Sequence, residues 1–266
     1  MRILVSNDDG IYSPGIAALA KAARSFGEVR VVAPDVERSS AGHAITASLP
    51  LTYRATPVPD GVEAYRVNGT PADCVALGVH RWNDVDVVLS GINIGSNLGN
   101  AIWHSGTLAA AKQALLLGIP GIALSTPSDQ EEPDFEALAP HVEEVLQLLL
   151  SQHQLPLVNV NLPPRPRGIR WTRQAVERYH GEVVPGTDPQ GRQHFWFTVR
   201  RIEGSLEGTD RWAVDEGYIS LTPLRLDLTD HEALAELREA RPEPREEAAA
   251  EAPTATPAME ADATTH

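Results

Sequence analysis

Short, unalternating apolar runs recur through the first 160 residues, separated by stretches with helical spacing. Ile3, Leu4 and Val5 run directly into Asn-Asp-Asp-Gly, the pattern of a brief strand buried on both faces and ended by a turn. Ile16, Leu19, Ala23 and Phe26 then repeat at helical intervals, predicting a first helix over 15–26. Glu28–Ala33 reads as a second strand, ended by Pro34-Asp35, with a polar segment through His43 behind it. Leu49–Ala55 and Ala64–Val67 read as strands, and Gly69–Asp73 leads into a helix through Val75, Val79 and His80. Val85–Leu89 is the next buried strand, and Ser90–Gly99 reads as a long glycine-rich loop. Thr107–Leu117 is helical, Gly121–Ser125 a strand, Pro133–Gln152 contains a helix, and Val158–Leu162 is a strand.

Alternation of strands and helices predicts an α/β fold: a Rossmann-like, mainly parallel sheet with helices on both faces, spanning residues 1–165. From Gly168 the pattern changes. Arg170–Arg178, His194–Val199 and Tyr218–Thr222 alternate and hold much of the aromatic content, predicting a β-rich oligomerisation extension over 166–240 that ends in a short capped helix, Asp230–Arg238. Residues 241–266 are Ala, Glu, Pro and Thr with little to bury, so a disordered acidic tail is expected.

A chain of 266 residues can bury a sizeable core. The net charge of −14 argues against a nucleic-acid polymer or an anionic membrane as partner. Residues 239–266, with seven acids and two arginines, hold −5 of that charge. Cys74 is the sole cysteine, which excludes an internal disulfide and a thiolate-rich metal site. With no signal peptide and no apolar run of membrane-spanning length, a soluble cytoplasmic protein is expected.

The polar segments all follow strands. Asp8-Asp9 follows the first, Ser39-Ser40 the second, and Asn93 the Val85–Leu89 run. Ligands of open parallel sheets bind beyond the carboxyl ends of the strands, so the fold gathers two carboxylates, a hydroxyl and a carboxamide on one rim. Each taken singly also reads as a turn or capping residue. Together they are hard oxygen donors, suited to one Mg²⁺ or Mn²⁺ rather than zinc. His104-Ser105-Gly106-Thr107 precedes the alanine-rich helix, where unpaired N–H groups and the helix dipole form a natural phosphate seat; plain capping is the alternative. His43 and His104 are further candidates for proton transfer. There is no G-x-x-x-x-G-K-[ST], no strand followed by G-x-G-x-x-G, and no G-x-S-x-G around Ser90.

The order of motifs resembles the SurE survival-protein nucleotidases. The matching stretches are N-D-D-G-I at 7–11, A-P-D-x-E-R-S at 33–39, G-H-A-I-T at 42–46 and G-T-P-A-D-C at 69–74. S-G-I-N-x-G-x-N-x-G at 90–99, H-S-G-T at 104–107 and E-G-Y-I-S-L-T-P-L at 216–224 continue the series. Ile94 and Ser96 stand where some members carry Arg and Pro, and the tail has no family counterpart. The resemblance implies a metal-dependent phosphatase acting on nucleoside 5′- and 3′-monophosphates, and a homodimer or homotetramer with swapped C-terminal elements. It places the metal ligands at Asp8, Asp9, Ser39 and Asn93. Asp8, Asp9, Asn93 and Ser105 are then the expected catalytic residues, and Asn7, His104, Ser105, Gly106 and Thr107 the expected phosphate contacts. Two alternatives stand beside this expectation: a nucleotide-binding regulatory module without catalysis, and an aspartyl-phosphate phosphatase with Asp8 as nucleophile. Adjacency of the aspartates, where the latter enzymes separate them by one residue, weighs against it.

Overall fold

The first strand, β1 (Arg2–Ser6), lies in the interior of a nine-stranded sheet. The structure, a computed structural model, describes residues 1–58, 61–127, 132–151, 155–176, 181–199 and 204–240. On one side of β1 pairs β2 (Glu28–Pro34), followed by β4 (Glu63–Val67) and the short antiparallel β3 (Tyr53–Ala55). On the other side lie β5 (Val87–Ile94), β6 (Gly121–Thr126) and β7 (Leu157–Asn161), all parallel. The order therefore reverses at β1, and a crevice opens beyond the carboxyl ends of β1 and β5, where such sheets bind ligands.

Side chains of the central strands alternate between two cores. Ile3 and Val5 face α1 (Pro14–Ala23) and α4 (Phe135–Leu150) through Ile16, Leu19, Leu138 and Val142. Leu4, Val32 and Val88 face α2 (Pro71–Arg81) and α3 (Gly106–Leu116) through Cys74, Val75, Ala110 and Ala114. Burial on both faces is why these strands read as continuous apolar runs. Each fully buried side chain of Leu or Ile size contributes about 1.5–3 kcal/mol. Among the described residues no helix is long and apolar enough to cross a membrane.

Several local expectations change. β5 runs on to Ile94 through the stretch that reads as a glycine-rich loop, with a register shift against β6 between Ser90 and Asn93. A bulge absorbs the one extra residue of β5, so the strand continues through glycine. The strand expected over Leu49–Ala55 is confined to Tyr53–Ala55. The strand expected over Arg170–Arg178 is β8 (Ile169–Trp171), and it pairs in parallel with β11 (Ile219–Pro223); residues 177 and 178 lie outside the described residues. β11 runs antiparallel to β7, so it and β8 extend the main sheet.

A separate antiparallel hairpin is made by β9 (Gly181–Thr187) and β10 (Gln193–Val199). Pro185 and Gly186 hide β9 in the sequence. A two-stranded ribbon tolerates them because each strand has a free edge. α5 (Asp210–Asp215) precedes β11, and these elements belong to one compact unit, Met1–Leu226. A second unit starts at Asp227 and holds α6 (His231–Ala240), whose first turn is capped by Asp230 Oδ1, accepting from Ala233 N at 2.9 Å. The expected acidic tail lies outside the described residues.

Candidate active site

The turn after β1 is built from its own residues. Asn7 Nδ2 donates to Gly10 O at 3.0 Å and to Ser13 Oγ at 2.8 Å, and Ser13 caps α1 by accepting from Ile16 N. Gly10 sits at φ +98°, a conformation that favours glycine. Ile11 N bonds Pro34 O at 2.9 Å and Arg38 N bonds Asp8 O at 2.7 Å, so the turns after β1 and β2 are locked together. Asp8 and Asp9 thereby stand beside Glu37 and Ser39, and Ser39 Oγ donates to Glu37 Oε1 at 2.6 Å.

The bulged end of β5 supplies Asn93. A Cβ on Gly91 would lie 2.2 Å from Leu124 O, so only glycine lets β5 approach β6 at that point. Asn93 Nδ2 donates to Gly95 O at 2.6 Å, leaving the amide oxygen as the atom available to a cation. Ile94 N donates to Asp9 Oδ2 at 3.3 Å. The chain then makes a 3₁₀ turn, Gly99–Trp103, before Ser105 caps α3 by accepting from Leu108 N at 3.0 Å.

Asp8, Ser39, Asn93, His104 and Ser105 line one cavity of about 350 Å³. Asp9 does not line it, although the backbone of Ile94, which does, donates to its carboxylate. The remaining candidates lie behind the wall. Thr107 directs its hydroxyl at Asp8 Oδ1, at 2.6 Å, and its backbone N–H at the same carboxylate. Gly106 touches Asp8 as well: a Cβ there would lie 2.7 Å from Asp8 Cβ and 2.9 Å from Asp8 Oδ2. The close approach that requires glycine is thus to the carboxylate. Asn7 is buried in its turn and is absent from the cavity wall. His43 faces α3, with Nε2 2.9 Å from Gln113 Oε1. The wall is completed by Ser40, by Ile94 at the end of β5, by Ser96 and Asn97 of the following loop, and by Ala101. Asn97 belongs to a polar network that only the fold assembles. The second asparagine of S-G-I-N-x-G-x-N-x-G was its one available signal. A larger cavity of about 480 Å³ against α1 is lined mainly by apolar side chains, with Tyr12, Ser13, Lys21 and Glu132 as its polar members, and holds none of the candidates.

Electrostatics give the wall its character. Burial raises the Asp8 carboxyl above the usual range, opposed by the bond from Thr107 and reinforced by Glu37. Burial, and then the negative charge of Asp8, push Asp9 up to about 6. Two adjacent carboxylates held in this strained state are what a cation relieves. No three His, Cys, Asp or Glu among the described residues group as a metal site, and the candidate donors named from the sequence are two carboxylates, an amide and a hydroxyl. That set fits a hard divalent ion such as Mg²⁺ or Mn²⁺.

A family model described as survival protein SurE matches residues 3–181. The chain belongs to the SurE family. Among its SurE relatives, 5'-nucleotidase SurE 1 of Thermus thermophilus is 48% identical over 248 residues, which are 90% of this chain and 98% of that protein. The 5'-nucleotidase SurE of Deinococcus radiodurans is 45% identical over 249 residues, 91% of this chain and 93% of its own. The crystal structure of the SurE protein from Aquifex aeolicus superimposes with a TM-score of 0.77 at 38% identity, covering 90% of this chain and 99% of that one. This SurE fold is thus a mostly parallel sheet flanked by helices in both molecules.

Proposed function

We propose that this SurE protein is a divalent-metal-dependent 5′-nucleotidase, also active on 3′-monophosphates, that releases phosphate from nucleoside monophosphates. The observation that carries the reading is the shared wall: Asp8, Ser39 and Asn93 face the same cavity as His104 and Ser105. Its relatives' names, over nine-tenths of the chain, support the activity.

Asp8, Asp9, Ser39 and Asn93 would hold one Mg²⁺ or Mn²⁺ per subunit. Once bound, the ion would supply charge neutralisation at the phosphoryl oxygens and would lower the pKa of a water. The Ser105 hydroxyl, at the positive end of α3, holds and orients a phosphoryl oxygen and stabilises charge that develops on it. His104 is the one imidazole in the wall and stands as donor of a proton to the departing nucleoside oxygen. Thr107 keeps Asp8 oriented from behind.

Assembly as a homodimer or homotetramer is supported by the β9–β10 hairpin. Phe195, Trp196 and Phe197 follow one another along β10 and are 64–66% exposed, so both hairpin faces present aromatic surface. The cytoplasm is its expected compartment.

The test is a panel of divalent ions against 5′- and 3′-monophosphates, read as phosphate release with and without chelator. Release restored by Mg²⁺ or Mn²⁺ and lost in Asp8→Asn is expected. Nucleotide binding without release under every ion would make the protein a binding module. A trapped phospho-aspartate at Asp8 would replace attack by water with a covalent route.

A further inference from the structure

From the cavity wall, Asn97 joins the ends of three strands. The side chain of Asn161, at the end of β7, grips its backbone twice: Oδ1 accepts from Asn97 N at 2.9 Å and Nδ2 donates to Asn97 O at 3.1 Å. Asn159 Nδ2 adds a second donor to Asn97 O at 2.8 Å. The Asn97 side chain then reaches across, with Nδ2 donating to Ser125 Oγ of β6 at 2.8 Å and to Thr107 Oγ1 at 3.3 Å. Thr107 in turn bonds Asp8 Oδ1 at the end of β1. Asn97, Thr107, Ser125, Asn159 and Asn161 are all buried.

The direction of this chain is set by chemistry. An amide nitrogen only donates, so Thr107 Oγ1 must accept from Asn97, and its single proton is left for the carboxylate. Without Asn97 the Thr107 hydroxyl keeps its bond to Asp8 Oδ1 but loses the donor that fixes its lone-pair side. Thr107 ties the helix capped by Ser105 to the carboxylate of Asp8, and Asn97 adjoins that tie from the loop that follows Asn93.

We propose that Asn97, clamped by Asn161, is a positioning residue that fixes the Thr107 hydroxyl and through it the orientation of the Asp8 carboxylate toward the divalent ion. The inference rests on the reading of Asp8 as a metal ligand. Outer partners of metal ligands typically change affinity by about 10–100-fold when removed.

A double-mutant cycle on the full chain tests it, read by calorimetric titration of Mn²⁺ alone and by kcat and KM for a nucleoside 5′-monophosphate. Thr107→Val should weaken Mn²⁺ binding about tenfold or more, while Thr107→Ser retains it. Asn97→Leu should weaken Mn²⁺ about tenfold in the parent but change little further in Thr107→Val, because the path is already cut. A purely structural role for Asn97 predicts equal losses in both backgrounds, and that result, or unchanged Mn²⁺ affinity in Asn97→Leu, would overturn the proposal. Should Asn97→Leu fail to fold, Asn97→Ser enters the same cycle with the same criteria. Asp8→Asn separates the two claims: wild-type Mn²⁺ affinity in that variant refutes the ligand assignment itself.

Discussion

Gly106→Ala adds one methyl group where the first turn of α3 meets Asp8. The new Cβ would stand 2.7 Å from Asp8 Cβ, 2.9 Å from Oδ2 and 3.1 Å from Cγ. Against an optimal carbon–carbon separation of about 3.5 Å, the closest contact is about 0.8 Å too short. Neither partner yields easily. Asp8 is held through Thr107 and through Arg38 N, and α3 is packed on the sheet by Leu108, Ala110 and Ala114. Overpacking of this kind costs about 1–3 kcal/mol, and the better helix propensity of alanine returns at most about 1 kcal/mol. The fold should therefore survive with a modestly lower melting temperature. Function should suffer more, because a displacement approaching 1 Å at a reacting centre costs on the order of a hundredfold. The assay is kcat/KM for a nucleoside 5′-monophosphate at saturating Mn²⁺, with thermal melting of the same samples. Turnover within threefold of wild type would show that Asp8 does not need its present position, and would refute the argument.

Asp8→Asn should abolish Mn²⁺ binding and turnover yet raise the melting temperature of the metal-free protein, since it removes a buried charge beside Asp9; scanning calorimetry with and without Mn²⁺ reads both effects. Asp9 is raised from 3.8 to about 6, so the metal-free fold binds its proton more tightly than the unfolded chain does. Stability should therefore rise as pH falls from 7 through about 6 toward 4, and urea midpoints for Asp9→Asn should lose that part of the slope. Asp210→Ala strands the N–H groups of Gly99 and Ala175, now held by the carboxylate at 2.8 and 3.0 Å. Each stranded group should cost about 1–3 kcal/mol, measured as a lower denaturation midpoint. Deleting 241–266 should leave oligomer mass and activity unchanged, because the segment has little apolar surface to dock; light scattering and phosphate release check it.

Local patterns made most of the fold legible. β1, β2, β6 and β7 are brief apolar runs because both of their faces are covered, and that burial writes itself into consecutive residues. Asp8, Asp9 and Asn93 can be grouped from the sequence because parallel strands bring their carboxyl ends to one rim. Asn93 was visible as a candidate, although the bulged strand that carries it reads as loop. β9 was hidden by Pro185 and Gly186, which only an isolated hairpin accommodates. What each polar group touches could not be read in this way. Thr107 and Gly106 read as a cap or phosphate seat, yet both turn out to face Asp8, and the Thr107 bond joins residues 99 positions apart. Glu37, Asn97 and Asn161 carry no periodic signal at all. A strand or helix is specified by neighbours within a few residues, whereas a hydrogen bond between distant side chains exists only after the sheet has set the distance between them.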